Sequence, residues 1–430
     1  MDTLETPRII KGATRGLIGT VSLPADKSIA HRTALFASLA SGTSQVVGYP
    51  SSADPQSTLS CLRQLGIEIL PTDTGFDIHG KGLNGFTAPT LPLDCGNSGT
   101  TMRLLAGMLA GQSFSSILIG DDSLSGRPMG RIIDPLRMMG ATVDAQGGRA
   151  PLHVQGTHPL RAVTYELPIA SAQVKSCVLL AGLFAKGITT VVEHTPSRDH
   201  TERMLGLGSV TIGNQRYISV EGGMEIKPRL WSIPADFSAA AFFLVAGSIV
   251  PDSALKLLKV GLNPSRTGLI DVLRAMGANI VIENERLVGG EPIGDIVVRS
   301  AELHGIQVSG PIIANIIDEI PILCVAASVA TGPTSISDAS ELRHKEADRI
   351  AAMATGLRTL GVELEEKEDG LLFKGGSTLR SGTVDTYHDH RIAMSMGIAA
   401  LVSDGKVEIN GSEIASVSFP TFWDCLEELA

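Results

Sequence analysis

The chain has 430 residues, of which 43% are hydrophobic and 19% are charged, and its formal net charge at pH 7 is −10. This length predicts two domains, and the hydrophobic content excludes a disordered chain. The negative charge argues against general nucleic-acid binding, so an anionic ligand would need a local cluster of Lys and Arg.

The sequence begins without a basic segment followed by an apolar one, so it has no pattern of a secretory signal. Its longest run of apolar and small residues, 239–250, is too short to cross a bilayer. The five cysteines form no C-x-x-C pair, and each lies in or beside an apolar stretch, which is typical of reduced thiols. We therefore predict a cytoplasmic protein that binds neither membranes nor nucleic acid.

The first recurring element along the chain is a helix ending of the form L-R-x-x-G. It occurs at residues 62–66, 136–140, 273–277 and 357–361, and a degenerate version ends at Gly206. A short alternating or β-branched run follows each ending. The pattern predicts a helix, a glycine C-cap and then a strand.

The second recurring element is an Ala-rich run that leads through a glycine or proline turn into a strand. Six such runs occupy residues 33–47, 103–119, 177–192, 240–258, 322–337 and 394–409. They alternate with the L-R-x-x-G endings, so each repeating unit combines strands with two helices. Such βαβ crossovers predict an α/β fold with three units in each of two domains and a midpoint near residues 233–239. Coincidence is the alternative, because Leu, Gly and Ala are common residues.

Polar stretches precede all six Ala-rich helices. They are ADKS (25–28), GNSGTT (96–101), SAQVK (171–175), ADFS (235–238), IDE (317–319) and HDHR (388–391). Helix capping explains the Asp, Asn and Ser residues, but cations near a helix N-terminus oppose the helix dipole. The cations that capping leaves unexplained are Lys27, Arg32, Arg103, Lys175 and Arg391. Grouped at helix N-termini, these side chains would form anion sites.

The second helices also have polar entrances, at residues 121–131, 196–203, 263–268 and 341–349. In the last of these, carboxylates and cations alternate over Lys345, Glu346, Asp348 and Arg349. A solvated helix start would explain this run by itself. Carboxylates held beside Lys and Arg also favour acid–base chemistry on an anion.

Motifs for other chemistries are absent. The sequence contains no G-x-x-x-x-G-K-[ST] phosphate loop and no G-x-S-x-G motif, and GLGSVT (206–211) lacks the third glycine of a dinucleotide fingerprint. His388 and His390 flank Asp389, but no third ligand follows at metal-binding spacing. The residues alone predict an enzyme without cofactor or metal that binds small polyanions and moves protons with carboxylates such as Asp318 and Glu346.

Several of these segments resemble one family in the same order. PADKSIAHR (24–32) resembles the P-G-D-K-S-x-S-x-R segment of the 5-enolpyruvylshikimate-3-phosphate synthases, and GNSGTTMR (96–103) resembles their G-N-[SA]-G-T-x-x-R signature. The further similar segments are SAQVKS (171–176), DEIP (318–321), RHKEADR (343–349) and DHR (389–391). The resemblance implies two similar domains, each of three βαβαββ units (an inside-out α/β barrel), with the active site in the interdomain cleft. The predicted extents are 22–234 for one domain and 1–21 plus 235–430 for the other.

The family resemblance also implies a reaction. The enolpyruvyl group of phosphoenolpyruvate is transferred to the 5-hydroxyl of shikimate 3-phosphate, and phosphate is released, by way of a tetrahedral addition–elimination intermediate on the route to chorismate. No cofactor is implied. The two small-molecule substrates are the partners that we expect, and we expect the chain to act as a monomer.

Site residues carry over motif by motif. The resemblance makes Asp318 the base for the 5-hydroxyl, Glu346 the acid for the methylene carbon, and Lys27 a contact of both substrates. The implied shikimate 3-phosphate contacts are Lys27, Ser28, Arg32, Ser171, Ala172, Gln173, Arg198, Asp318 and Lys345. The implied phosphoenolpyruvate contacts are Lys27, Asn97, Gly99, Arg127, Gln173, Arg349, His390 and Arg391. Because Gly99 leaves room beside phosphoenolpyruvate, we expect glyphosate to compete there, and His31 is interpreted as structural.

Two alternatives remain open at this point. The first is the sister enolpyruvyl transferase that acts on UDP-N-acetylglucosamine, which typically carries a cysteine in a mobile loop, and residues 121–131 contain none. The second is a non-catalytic anion-binding relative. Such a relative would be expected to lose Asp318, Glu346 or the arginines, and all are present.

Overall fold

The computed structural model describes residues 7–429. Packing divides the chain into two compact units. Unit N comprises Ala25–Pro234 and Leu287–Glu291, and unit C comprises the described residues up to Pro24, Ala235–Arg286, and Pro292 onward. Residues 1–6 and 430 of the predicted domain extents lie outside the described residues, and those extents stay a prediction.

Strands and helices alternate along the described chain. The strands are β1 Arg8–Lys11, β2 Ile18–Val21, β3 Ser41–Val47, β4 Glu68–Thr72, β5 Gly75–Lys81, β6 Leu93–Asp94, β7 Ser115–Ile119, β8 Thr142–Ala145, β9 Leu152–Gln155, β10 Leu160–Arg161, β11 Thr164–Glu166, β12 Ala185–Lys186, β13 Ile188–Glu193, β14 Ser209–Ile212, β15 Gln215–Glu221, β16 Leu230–Ser232, β17 Ala254–Gly261, β18 Asn279–Val288, β19 Glu291–Arg299, β20 Gln307–Val308, β21 Thr334–Ile336, β22 Leu364–Lys367, β23 Gly370–Phe373, β24 Leu379–Asp385 and β25 Ser403–Asn410. The helices are α1 Lys27–Leu39, α2 Ala53–Gln64, α3 Gly99–Ala110, α4 Asp122–Ser125, α5 Gly130–Met138, α6 Ala172–Gly182, α7 His200–Leu205, α8 Phe237–Ile249, α9 Gly268–Ala275, α10 Ile312–Ile316, α11 Ile320–Val329, α12 Arg349–Thr359, α13 His390–Leu401 and α14 Phe422–Leu429. The Ala-rich runs form α1, α3, α6, α8, α11 and α13, as predicted.

One sheet pattern recurs in both units. In unit N the strand orders are β16-β3-β5-β4, β6-β7-β9-β8 and β11-β13-β15-β14, and in unit C they are β2-β17-β19-β18, β20-β21-β23-β22 and β24-β25-β1. The first two strands of each of these sheets are parallel, and the third strand is antiparallel to the second. The antiparallel pairs are β3–β5, β7–β9, β13–β15, β17–β19, β21–β23 and β25–β1. The α/β fold with three βαβαββ units in each half of the chain is therefore confirmed.

Two strands pair with a strand of one unit although the helix that follows them in the sequence belongs to the other unit. Strand β2 precedes α1 in the sequence but pairs with β17 in unit C. Strand β16 precedes α8 but pairs with β3 in unit N. The division between the units falls just after each of these strands, inside the PAD tripeptides at residues 24–26 and 234–236.

The L-R-x-x-G endings close their helices as Schellman caps. At the end of α2, Ile67 N donates to Leu62 O over 3.0 Å, and Gly66 N donates to Arg63 O over 3.0 Å. Gly66 has φ 84°, a left-handed conformation that glycine adopts without a steric penalty. The same pair of hydrogen bonds ends the helices before Gly140, Gly206, Gly277 and Gly361.

Each unit buries its own hydrophobic core, and small residues let the Ala-rich helices approach closely. Helices α3 and α6 pack so tightly that a Cβ on Gly107 would collide with the main chain at Cys177. The five cysteines are buried free thiols. Within residues 7–429, no helix combines the length and apolar character that crossing a bilayer requires.

Candidate active site

The N-termini of α1, α3 and α6 carry the predicted polar residues of unit N. These helices are capped by Asp26, Ser98 and Ser171. The side-chain oxygen of each accepts a hydrogen bond from the main-chain N–H three residues later. Capping satisfies N–H groups that would otherwise lack a partner in the first turn. The six stretches that precede the Ala-rich helices therefore include real caps, and the cations need a separate explanation.

Side chains of α3 and α6 are bonded to each other. Arg103 NH1 donates to Gln173 Oε1 over 2.5 Å, and Gln173 Nε2 donates to Thr100 Oγ1 over 2.9 Å. The bonds bring two helix starts together that are about 70 residues apart in the sequence. Gln173, which the resemblance implies for both substrates, thus lies beside the first turn of α3.

Asn97, Gly99 and Arg127 lie together, as their shared assignment to phosphoenolpyruvate requires. Arg127 NH2 donates to Asn97 Oδ1 over 2.8 Å, and Asn97 Nδ2 donates to Asp121 Oδ2 over 2.8 Å. A Cβ on Gly99 would lie 2.7 Å from Arg103 NH1 and 3.7 Å from Arg127 NH1. A side chain at residue 99 would therefore crowd the guanidinium group of Arg103.

Lys27, in the first turn of α1, is partly buried. Its Nζ lies 2.9 Å from Asp54 Oδ2, and the two side chains are 27% and 12% exposed. Asp54 was not predicted from the sequence, because an acidic residue in the first turn of α2 is an ordinary helix-stabilising feature. Lys27 is thus an oriented cation with a carboxylate beside it, and Ser28 follows it, also partly buried.

Arg32 is 3% exposed and is bonded to neutral acceptors. Its Nε donates to Thr201 Oγ1 over 2.8 Å, and its NH2 donates to Ser176 Oγ over 2.9 Å. A third bond runs from NH1 to Ser28 O over 3.0 Å. Burial lowers the pKa of the Arg32 guanidinium to about 10, against the opposite effect of Glu202 and other carboxylates. Arg32 remains a cation at neutral pH.

His31 is buried in unit N next to a hydroxyl group. Its Nδ1 lies 2.7 Å from Thr58 Oγ1, and the ring is buried. Burial lowers the pKa of His31 to about 3, so the imidazole is neutral at physiological pH. This environment agrees with the structural role expected for it.

Lys175 corrects one prediction. The sequence places it among the cations that would face an anion, but its side chain is 0% exposed. Its Nζ lies 3.1 Å from Glu193 Oε2 and 2.7 Å from Glu202 Oε1. A fully buried lysine is stable only when it is paired, so Lys175 is an internal ion-pair partner. The partly exposed residues at the start of α6 are its N-cap Ser171 and the first two helical residues, Ala172 and Gln173.

In unit C, Arg349 joins three carboxylates. Its Nε donates to Asp389 Oδ2 over 2.8 Å, its NH1 to Asp318 Oδ1 over 3.3 Å, and its NH2 to Glu346 Oε2 over 2.6 Å. Arg349 is 2% exposed. Burial would lower the pKa of Arg349, but the three carboxylates outweigh it and the pKa is raised.

Asp389 is the fully buried member of this group. Burial acts to raise the pKa of Asp389, but Arg349 outweighs it and holds the pKa below its ordinary value. The other side-chain oxygen, Oδ1, accepts a hydrogen bond from Arg391 N over 2.8 Å and caps α13. One carboxylate therefore fixes both Arg349 and the helix that carries Arg391.

Arg391 is anchored on the residue that the resemblance makes the base. Its NH1 donates to the main-chain oxygen of Asp318 over 2.9 Å, and its NH2 lies 4.0 Å from Asp318 Oδ2. Asp318 is partly exposed, as is Glu346 on another arm of Arg349. The two carboxylates assigned to proton transfer thus share one arginine.

The remaining predicted residues occupy the same segments. Lys345 is partly buried next to Glu346, and His390 is buried as the first residue of α13. Arg198 is partly buried between Ser197 and Asp199. Among residues 7–429, no group of three or more His, Cys, Asp and Glu residues is arranged to hold a metal ion.

Glu319 is a buried residue that sequence reasoning passed over. Its Oε1 accepts a 2.5 Å hydrogen bond from Ser238 Oγ and lies 3.8 Å from Arg266 NH2 and 3.7 Å from Arg391 NH1. The signal was its place in IDE (317–319), where a helix cap is the ordinary interpretation. Glu319 adds a negative charge behind Arg391.

The two groups of residues have different chemical capacities. Unit N presents Lys27, Arg32 and Arg127 near helix N-termini, an arrangement that suits phosphate and carboxylate groups. Unit C presents Asp318 and Glu346 on an arginine, an arrangement that suits proton transfer near an anion.

Comparisons with known proteins agree on one family. A family model described as EPSP synthase (3-phosphoshikimate 1-carboxyvinyltransferase) matches residues 12–426. The chain is 58% identical to the 3-phosphoshikimate 1-carboxyvinyltransferase of Salinibacter ruber over 418 residues, which cover 96% of this chain and 97% of the relative. The corresponding protein of Syntrophomonas wolfei is 47% identical over 98% of this chain and 99% of its own.

Solved structures give the same result. The EPSP synthase of Acinetobacter baumannii superposes with a TM-score of 0.89 at 43% identity, over 98% of each chain. An enolpyruvyl transferase of Streptomyces tendae superposes with a TM-score of 0.77 at 17% identity, over 99% of this chain and 97% of its own, which shows the fold alone.

Proposed function

This chain belongs to the EPSP synthase family, and on that premise we propose that its two groups of polar residues act on one pair of substrates. The enzyme is a transferase that moves the enolpyruvyl group of phosphoenolpyruvate to the 5-hydroxyl of shikimate 3-phosphate and releases phosphate. The observation that carries the assignment of roles is that Asp318 and Glu346 both accept hydrogen bonds from the same buried arginine, Arg349.

The proposed reaction begins with an addition. Asp318 accepts the proton of the 5-hydroxyl, and the resulting oxygen forms a bond to C2 of phosphoenolpyruvate. Glu346 donates a proton to C3, so the double-bond pair becomes a C–H bond and a tetrahedral intermediate results. In the elimination, the Glu346 carboxylate takes a proton back from C3, and the C–H electron pair restores the double bond between C2 and C3. The bond between C2 and the phosphate oxygen breaks, and phosphate leaves with the electron pair of that bond.

Charge compensation is the second requirement of this reaction. The substrates together bring two phosphates and two carboxylates, and fixed cations are needed to offset their repulsion. We assign Ser28, Arg32 and Arg198 to the phosphate of shikimate 3-phosphate. The further contacts of shikimate 3-phosphate, as the family resemblance implies, are Ser171, Ala172, Gln173 and Lys345.

Phosphoenolpyruvate takes the other cations. We assign to it Asn97, Gly99, Arg127, Gln173, Arg349, His390 and Arg391, with Lys27 touching both substrates. Support comes from the direct bonding of Arg127 to Asn97 and from the anchoring of Arg391 on Asp318. Glyphosate then competes with phosphoenolpyruvate next to Gly99.

The remaining expectations are proposals of the same kind. The chain acts as a monomer in the cytoplasm, and its catalytic domains are residues 22–234 and 1–21 plus 235–430. The sister activity on UDP-N-acetylglucosamine is disfavoured, because the relatives with high identity are 3-phosphoshikimate 1-carboxyvinyltransferases and residues 121–131 carry no cysteine.

Phosphate release by the purified chain tests the function. With shikimate 3-phosphate and phosphoenolpyruvate together, we expect phosphate release that requires both compounds. With UDP-N-acetylglucosamine as the acceptor, we expect none above the blank. Failure to release phosphate with the first pair would overturn the proposed function, whereas release with the second acceptor alone would favour the sister activity.

A further inference from the structure

Lys175 is a buried charge that the proposed mechanism does not use. Its Nζ lies 3.2 and 3.1 Å from the two oxygens of Glu193, 2.7 Å from Glu202 Oε1, and 3.1 Å from Ser197 O. All of these partners belong to one segment, residues 193–202. Burying a lysine and two carboxylates is costly unless their geometry is fixed, so the 193–202 segment is tied firmly to α6.

The contacts fix the main chain on the N-terminal side of Arg198. Glu193 Oε2 accepts hydrogen bonds from Ser197 N over 3.1 Å and from Ser197 Oγ over 2.8 Å, while Ser197 O accepts one from Lys175. Ser197 is therefore held at its amide, its carbonyl and its hydroxyl. Ser197 O is the carbonyl oxygen of the peptide group that joins Ser197 to Arg198. Lys175 therefore holds the peptide group directly before Arg198.

The C-terminal side of Arg198 is held as well. Asp199 Oδ1 accepts a hydrogen bond from Arg203 Nε over 2.8 Å, and Asp199 Oδ2 lies 4.0 Å from Arg216 NH2. Arg216 NH1 in turn donates to Glu193 Oε1 over 3.4 Å. Arg216 therefore links Glu193 and Asp199, the carboxylates on either side of Arg198. Because Lys175 neutralises only one of the two charges of Glu193 and Glu202, Arg216 also offsets part of the remaining negative charge.

The next residue of α6 makes a second connection to the same segment. Ser176 Oγ lies 2.7 Å from Thr201 Oγ1, and both hydroxyls accept hydrogen bonds from Arg32. Lys175 and Ser176 thus pair with Glu202 and Thr201 in two adjacent cross-links. One cross-link is ionic, and the other forms the seat of Arg32.

We infer that Lys175, through its ion pairs with Glu193 and Glu202, is a positioning residue for the phosphate group of shikimate 3-phosphate, because it fixes the segment that carries Arg198 and supports Arg32. This role rests on the proposed function, which assigns both arginines to that phosphate. Binding usually orders side chains and loops, and this loss of conformational entropy weakens affinity. In a site that is already rigid the loss is smaller, so the ligand binds more tightly.

The test compares a ligand that has the phosphate with one that lacks it. Dissociation constants for shikimate 3-phosphate and for shikimate are measured by calorimetry on the full chain, and their ratio reports the phosphate site alone. For Lys175→Met we expect shikimate 3-phosphate to bind about tenfold more weakly, equivalent to about 1.4 kcal/mol. Shikimate binding and the KM for phosphoenolpyruvate should change by less than about twofold.

Matched variants separate positioning from stability. Leu180→Ala removes a buried apolar side chain lower on the same helix, so it should lower the melting temperature and leave the ratio unchanged. Lys175→Met/Glu202→Gln removes one buried charge of each sign, and it serves if the single variant does not fold. Ser176→Ala leaves the ion pairs intact and should weaken shikimate 3-phosphate binding about threefold through Arg32.

The outcomes are distinct. A changed ratio in the Lys175 variants with an unchanged ratio in Leu180→Ala supports the positioning role. An unchanged ratio in folded Lys175 variants of an enzyme whose wild type turns over overturns it while leaving the proposed function in place. A wild-type chain that neither binds shikimate 3-phosphate nor releases phosphate overturns both.

Discussion

Replacing Asp318 by Asn separates its charge from its structural contacts. The substitution keeps the shape and the main-chain oxygen that accepts a 2.9 Å hydrogen bond from Arg391 NH1. It turns the 3.3 Å ion pair with Arg349 NH1 into a hydrogen bond from the charged guanidinium to a neutral amide oxygen, which costs about 1 kcal/mol of stability. Loss of a general base lowers the rate by about 10²–10⁴-fold, equivalent to about 2.7–5.5 kcal/mol. The effect on the rate should therefore exceed the effect on folding severalfold.

Steady-state phosphate release and urea unfolding measure the two effects separately. For Asp318→Asn we expect kcat to fall at least about 100-fold, with a KM for phosphoenolpyruvate that stays within about threefold because Arg391 keeps its anchor. Glu363→Gln is the matched control, since it neutralises an exposed carboxylate that is paired with exposed Lys374 at 2.9 Å. A kcat within tenfold of wild type, or a rise in KM that accounts for the whole loss, would refute the role of Asp318 as the base.

Three further substitutions follow from the same contacts. Gly99→Ala places a Cβ 2.7 Å from Arg103 NH1, so glyphosate inhibition should weaken and the KM for phosphoenolpyruvate should rise; unchanged inhibition would contradict the placement of Gly99. Asp389→Asn should destabilise the fold most above about pH 5. The lowered pKa of Asp389 stabilises the folded state at pH values above the ordinary pKa near 3.8, and this stability is lost as the pH falls through the folded-state pKa. Urea unfolding that shows the same difference in unfolding free energy between wild type and variant at about pH 3 would contradict this. Arg349→Met leaves three carboxylates without their shared cation and should lower the free energy of unfolding by about 3–5 kcal/mol, and a loss below about 1 kcal/mol would show that the cluster contributes little.

The parts of this fold that the sequence predicts correctly depend on neighbouring residues. The L-R-x-x-G endings form Schellman caps because the bonds of Gly66 and Ile67 reach back only to Arg63 and Leu62. The Ala-rich helices are recognisable for the same reason, since composition and a glycine or proline turn suffice. Candidate site residues at helix starts could be proposed in a similar way, because N-caps and cations stand out in an apolar run.

Burial of charge could not be predicted in this way. Lys175 resembles the anion-facing cations in sequence, and only the distant residues Glu193 and Glu202 show that it is an internal ion-pair partner. Asp54 was missed because its partner Lys27 is on another helix. Glu319 was missed for a similar reason, since its contacts to Ser238, Arg266 and Arg391 come from three separate segments. The expectation that Lys175 faces an anion was therefore wrong, and the corresponding expectation for the other cations stays a prediction.

The PAD tripeptide occurs at the same structural position in both units. Both copies stand at a division between the units, and in both the Asp caps an Ala-rich helix, with Asp26 accepting from Ile29 N over 2.8 Å and Asp236 from Ser238 N over 2.7 Å. The scaffold is therefore the same up to the cap. What differs is the next turn of each helix.

At matching positions after the cap, α1 carries Lys27 and Arg32 where α8 carries Phe237 and Phe242. Both phenylalanines are almost completely buried, and Phe242 packs edge-on against Phe422 in the core of unit C. Burying such a side chain contributes about 1.5–3 kcal/mol, so α1 forgoes about 3–6 kcal/mol at two positions. In unit C the cations come instead from Arg349 and Arg391, beside carboxylates. Under the proposed function, α1 therefore exchanges two core positions for anion-binding cations. In unit C the carboxylates proposed for proton transfer, Asp318 and Glu346, lie in the segments just before α11 and α12.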